Sequence, residues 1–190
     1  MQSKFFAFMA RMKFVNRWSL MRNTTIENIA EHSLNVSMIA HCLALIENKF
    51  YGGQYDVFKI GMMGAYHETS EVITGDLATP VKYFNPEIKL AYKQIERVSL
   101  DKIKSMIPEE IKSHYDCLDG GNEYEEMLVK AADKISAYFK CVEELKSGNT
   151  EFSTAKDTLL ASVKAFELPE VEYFMEHFAD SIGKTLDELN

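Results

Sequence analysis

Two of the five histidines stand close to carboxylates at offsets that bring side chains together. His67 directly precedes Glu68, and Glu71 follows four residues after His67 and three after Glu68. On a helix those offsets put Glu71 on the same side as both. His67 and Glu68 themselves are about one-third of a turn apart, so both can lean toward a point between their directions. The second histidine, His32, lies in Glu31-His32-Ser33, between Ile29-Ala30 and Leu34. Imidazole with carboxylate suits a borderline to moderately hard divalent ion such as Zn, Mn, Co, Fe or Ni, whereas Ca prefers an all-oxygen set. Taken alone the pair is a weak signal, because solvated polar pairs and buried, hydrogen-bonded histidines have the same spelling. Asp133 strengthens it. It falls in Val129-Lys130-Ala131-Ala132-Asp133-Lys134-Ile135, where a carboxylate among small and apolar neighbours needs a partner or a cation to offset its desolvation.

Side chains so far apart in sequence need rigid elements to carry them. Apolar residues recur at helical spacing almost throughout, and period-2 alternation never persists, so the expected fold class is all-α. The pattern predicts helices from about Ser3 to Val15 and from about Ile26 to Lys49, stopping before Gly52-Gly53. A third is capped by Asp56 and ends shortly before Thr74-Gly75-Asp76, followed by a loop from Gly75 to Asn85. Asn85-Pro86-Glu87 is a strong helix start. Pro108-Glu109-Glu110 opens a short helix, a long one runs from about Glu123 to Lys146, and Thr150 to Phe166 and Pro169 to Phe178 complete the set. No linker, repeat or low-complexity tract interrupts them, which predicts a single compact domain over residues 1–190.

The composition excludes other functions. With 21 Lys+Arg against 29 Asp+Glu the net charge is -8, poorly suited to tracking a nucleic-acid polymer. Cys42, Cys117 and Cys141 are widely spaced with no CxxC pair, which argues against a disulfide framework or zinc ribbon and for a reducing, cytoplasmic setting. Structural burial is the reading for all three. Basic residues interrupt the apolar ones between Met1 and Lys13, which reads as an amphipathic core helix and not a leader. No later run reaches the roughly 18 apolar residues of a membrane span.

The order His32, His67-Glu68, Asp133 resembles the metal set of the HD-domain phosphohydrolases. Within them, Arg17-Trp18, Met21-Arg22-Asn23, Glu31-His32-Ser33, the run from Ser70 to Leu77, the run from Thr79 to Asn85 and Lys140-Cys141-Val142-Glu143-Glu144 resemble the bacterial YfbR-like 5′-deoxynucleotidases. That resemblance implies one divalent ion bound by His32, His67, Glu68 and Asp133, with open positions for water and a phosphate oxygen. It implies Glu71 as the residue orienting or deprotonating the water, and Asp76 as a second positioner of that water or an aid to the departing 5′-oxygen. Arg17 becomes the phosphate clamp. Asp76, Leu77, Ala78 and Thr79 become substrate contacts, and Trp18 closes on the sugar where a 2′-hydroxyl would be crowded. Without the motif, Trp18 reads equally as a core anchor and Arg17 as a solvated charge.

Two positions depart from the family pattern. The usual His-Asp doublet is His67-Glu68 here, and the extra methylene shifts the carboxylate by roughly 1 to 1.5 Å. Ala78 stands where proline is usual, loosening the loop. The leading expectation is hydrolysis of deoxyribonucleoside 5′-monophosphates by a cytoplasmic homodimer. The alternatives are a nucleotide phosphohydrolase acting on a longer phosphate tail, and a nucleotide-binding protein whose catalysis Glu68 impairs.

Overall fold

Helices begin where short polar side chains bind free backbone N–H groups. Asn28 accepts from the Ala30 and Glu31 N–H groups while Glu31 returns a bond to the Asn28 N–H, and this reciprocal cap starts α2 (Ile29–Ile46). Asp56 accepts from Phe58 and Lys59 N–H at the start of α3 (Val57–Tyr66). Asn85, followed by Pro86, caps α6 (Pro86–Lys104). Asn122 makes a second reciprocal cap with Glu125, opening α8 (Glu123–Lys146). A computed structural model describes residues 2–190 with the exception of Tyr83, so Met1 and the Tyr83 of the Thr79–Asn85 motif lie outside the described residues. Among the described residues there is no strand, only an isolated antiparallel bridge between Asn16 and Asn28. The all-α expectation holds.

α2 and α8 form the centre. With α3, α9 (Ser153–Lys164) and α10 (Pro169–Phe178) they enclose a core that includes Val36, Leu43, Ile60, Leu128, Ile135 and Phe174. Each such side chain contributes roughly 1.5–3 kcal/mol on burial. A second cluster of Phe5, Ile103, Ile107 and Leu118 joins α1 (Phe5–Met9) to the end of α6. The segment Ile29–Tyr51 is long and apolar enough by composition to cross a membrane, yet half of its most apolar window is buried inside the fold.

Two predicted helices are broken. The first spans only α1, followed by a tight 3-10 turn over Met12–Phe14, because Phe5 and Met12 alone of these turns are buried and too little packing holds a longer helix. The third stops at Tyr66. His67 takes the C-cap position and its Nδ1 lies 2.7 Å from the Gly64 carbonyl oxygen, an acceptor that a continuing helix would need. The chain then turns tightly, Thr69 N–H to Tyr66 O and Glu71 N–H to Glu68 O at 3.0 Å each, into the one-turn α4 (Glu71–Thr74). The expected loop beyond Gly75 carries another single turn, α5 (Thr79–Lys82).

Candidate active site

The close contact between α2 and α3 sets the site. Gly64 lies against α2 so tightly that a Cβ there would come within 2.9 Å of Ser37 Cα and 3.0 Å of Ser37 N, backbone atoms that cannot move aside. This brings the His32 and His67 rings to 5.2 Å between centroids. α8 crosses both and delivers Asp133, whose Oδ1 is 3.0 Å from His32 Nε2. One donor atom from each of His32, His67, Glu68 and Asp133 lies within 4.8 Å of the others. Around an ion bound at 2.0–2.2 Å, neighbouring ligand atoms sit roughly 3 to 3.5 Å apart and opposed ones about 4.2 Å, so small side-chain motions would close the set.

The hydrogen bonding of each imidazole suits ligation. His67 bonds the Gly64 carbonyl through Nδ1, which places the proton there, and leaves a buried Nε2 with no hydrogen-bond partner, 3.3 Å from Glu68 Oε1. His32, wholly buried, is backed at Nδ1 by Ser136 Oγ at 3.1 Å. The Gly64 contact fixes the His67 tautomer, and both outer contacts orient their rings toward the other donors. Two imidazoles and two carboxylates fit a divalent transition ion.

The charges at this point perturb one another. Burial lowers the His32 pKa, against the Asp133 hydrogen bond. Burial pushes Asp133 upward, but the His32 hydrogen bond and the Lys134 charge outweigh it and hold the carboxyl well below its ordinary range. Glu68, likewise opposed by burial, is pulled down by His67 and Arg17. Glu71 moves the other way, pushed up to about 10 by burial and by the Glu68 charge, with which it shares a hydrogen bond. Its Oε2 is buried without a partner. Asp76 is raised by burial against the pull of Arg17.

Arg17 reaches across from the N-terminal segment, its NH1 group 3.5 Å from Glu68 Oε1 and its Nε 3.0 Å from Glu27 Oε2. Trp18 donates from Nε1 to the same Glu27 oxygen at 2.9 Å. His32, His67, Glu68, Asp133, Glu71 and Arg17 therefore meet, and Asp76 lies within electrostatic reach of Arg17 and Glu68. Leu77 and Ala78 are half-buried and Thr79 exposed in the segment leading into α5. A cavity of about 370 Å³ lined by Met63, Tyr66, His67, Leu118, Val129 and Asp133 opens onto two of the donors. Glu27, Gly64 and Ser136 were not among the residues the sequence suggested. A glycine inside an apolar helix three residues before His67 was the available sign for Gly64; the other two contacts join distant segments and leave no local mark.

A family model described as 5′-deoxynucleotidase YfbR-like matches residues 4–182. The chain belongs to the YfbR-like family. Relatives named 5′-deoxynucleotidase YfbR, from Escherichia coli (strain K12 / DH10B) and Shigella boydii serotype 18, are each 47% identical over 192 residues, covering 100% of this chain and 96% of the relative. The YfbR-like fold is shared with an HD-domain phosphohydrolase from Listeria innocua, with a TM-score of 0.80 and 22% identity over 94% of this chain and 88% of that one. It is shared also with the cyanophage S-2L HD phosphohydrolase DatZ, whose structure holds dA and one catalytic Zn2+ ion; there the TM-score is 0.69 and the identity 22%, over 97% of this chain and 100% of that one.

Proposed function

We propose that this YfbR-like chain is a metal-dependent 5′-nucleotidase that hydrolyses deoxyribonucleoside monophosphates to the deoxyribonucleoside and phosphate. The observation that carries the reading is the convergence of His32, His67, Glu68 and Asp133 within 4.8 Å, beside the half-buried guanidinium of Arg17. Membership of a family whose relatives bear the name 5′-deoxynucleotidase supplies the substrate class. A divalent transition ion held by those four residues supplies charge neutralisation at the phosphoryl group and a water nucleophilic near neutral pH; Co, Mn, Zn, Fe and Ni all suit the donors.

The protein side of the reaction follows from placement. Arg17 offers parallel N–H donors to two phosphate oxygens and orients phosphorus toward the four donors. Glu71 presents its unpartnered Oε2 to the attacking water and accepts a hydrogen bond from it, aligning a lone pair on phosphorus. Asp76, whose pKa is raised by burial, assists the departing 5′-oxygen. Trp18, with Asp76, Leu77, Ala78 and Thr79, contacts the nucleoside. We take residues 1–190 as one domain, since the site draws on segments from Arg17 to Asp133. A cytoplasmic setting is supported by three free thiols, and binding to neither nucleic acid nor membrane is expected of so acidic a chain.

Phosphate release from deoxyribo- and ribonucleoside monophosphates with Mn, Co, Zn and Mg tests this, comparing the native chain with Glu68→Asp. Turnover of the deoxy substrates is the expected result. Release of pyrophosphate or triphosphate from longer tails instead would assign the longer-tail chemistry. Tight binding without turnover under every metal, restored by Glu68→Asp, would mean that the extra methylene has disabled the site.

A further inference from the structure

Glu27 is buried, 8% exposed, and its two oxygens face three groups of the site. Oε2 accepts from Arg17 Nε at 3.0 Å and from the Trp18 indole Nε1 at 2.9 Å, while Oε1 stands 4.0 Å from His32 Nδ1. A buried carboxylate is costly unless paired and hydrogen-bonded, and here both needs are met by adjacent residues of one segment. The backbone reinforces the arrangement: Arg17 N–H donates to Glu27 O at 2.9 Å, and Ile29 N–H to Val15 O at 3.0 Å, on either side of the Asn16–Asn28 bridge.

Trp18 is held against its own preference. Its φ is 58°, in the left-handed region that a bulky residue occupies at a cost of roughly 1–3 kcal/mol. The Met21 N–H and Asn23 Nδ2 both donate to its carbonyl, at 3.0 and 3.2 Å, and its ring meets Phe152 edge-on at 5.3 Å. An edge-on contact leaves the indole free to slide, and the bond to Glu27 sets its rotation. The same oxygen turns Arg17 so that the far end of the guanidinium points to Glu68.

We propose that Glu27 is a positioning residue that locks the Arg17 guanidinium and the Trp18 indole into one unit, and thereby sets the discrimination between deoxyribose and ribose. The assignment rests on the nucleotidase reading above. With the carboxylate gone, the indole rotates away from the place a 2′-hydroxyl would occupy and the guanidinium loses its fixed register on phosphate, so both effects appear together.

Trp18 is the single tryptophan of the chain, so one indole N–H resonance and one fluorophore report on it directly. The test compares native, Glu27→Leu and Glu27→Gln full-length protein loaded with Zn. It reads the indole N–H chemical shift, the affinities for deoxyadenosine and adenosine monophosphate by tryptophan fluorescence, and kcat/KM for each. Loss of a charge-assisted hydrogen bond to each donor is expected to move the Glu27→Leu resonance upfield and to lower the deoxy-to-ribo ratio at least about tenfold. Glu27→Gln keeps an acceptor oxygen and is expected to stay within about threefold of the native ratio. If Glu27→Leu does not fold, Glu27→Asp, one methylene shorter, is expected to shift the resonance and the ratio the same way. A native resonance or a native ratio in the folded variant overturns the proposal, and so does a native chain that binds the two sugars equally. Absence of turnover by the native chain sinks the nucleotidase reading instead, and the binding ratios then decide Glu27 without it.

Discussion

His67 gives its two ring nitrogens separate tasks: Nδ1 closes a helix on the Gly64 carbonyl, and Nε2 is left free beside Glu68. That division could not be read from the His67-Glu68 spelling, although the pair itself could, because the residue types limit the chemistry while the tautomer depends on a carbonyl three residues back. Arg17 is similar. Its fork spans Glu27 and Glu68 at once, which a lysine ammonium cannot do. Arg17→Lys is expected to lower kcat/KM for deoxyribonucleoside monophosphates by about 100-fold, or ~2.7 kcal/mol, measured by phosphate release; a change under threefold would remove Arg17 from the phosphate. Cys141 is buried with its thiol pushed up to about 12 by burial, so it stays protonated and unreactive, in line with a structural cysteine.

Between elements, the spacing of α2 and α3 decides whether the donors meet. Gly64→Ala forces a methyl group against the Ser37 backbone and is expected to cost about 1–3 kcal/mol while weakening metal affinity, as seen by thermal melting and by metal titration. A melting temperature and affinity equal to native would show that the close approach is dispensable. The second test concerns the loop bearing Trp18. Buried Glu144 accepts from Thr24 N–H, Thr24 Oγ1, Thr25 N–H and Asn149 Nδ2 and pairs with Lys140, tying residues 24–25 to the end of α8. Burial would raise its pKa, but hydrogen bonds from Lys140, Thr24 and Asn149 prevail and hold it below the ordinary carboxylate range. A depressed folded pKa means that the unfolded chain binds more protons. The stabilisation is therefore present above the unfolded value of about 4.3 and lost as pH falls toward the folded one. Glu144→Gln is expected to destabilise by about 3 kcal/mol at pH 7, and by progressively less below about pH 4, as followed by chemical denaturation; a gap independent of pH would contradict the linkage. The helix starts at Asp56, Asn85 and Glu123 were legible in sequence because a cap is a contact over two or three residues, whereas α2 begins under the Asn28 cap and not near Ile26. The break after Tyr66 was not, since the competing bond from His67 obeys the same short spacing that a continuous helix would use.

At the scale of the whole molecule, Leu34, Met38 and Leu45 of α2 and Phe58 and Met62 of α3 are exposed along neighbouring helices, Phe58 at 76%. Exposed apolar side chains in such number are usually covered, and we propose that a second copy of this chain covers them in a homodimer. Phe58→Glu is expected to shift the chain to monomer in light scattering; a native chain that is already monomeric would refute the dimer. Metal binding by three separate segments should stabilise the entire fold, by ~2.7 kcal/mol at a free-ion concentration 100 times the dissociation constant. A chelator is therefore expected to lower the melting temperature as well as abolish turnover. The sequence by itself determined the helical class, most helix starts and the residue types of the candidate metal set, because periodicity, caps and donor chemistry are local properties of the chain. Only tertiary structure decided that α3 ends at Tyr66, that Gly64 admits Ser37, and that Glu27 gathers Arg17, Trp18 and His32. Those outcomes depend on how side chains and neighbouring segments meet in space, set by packing that no local pattern encodes.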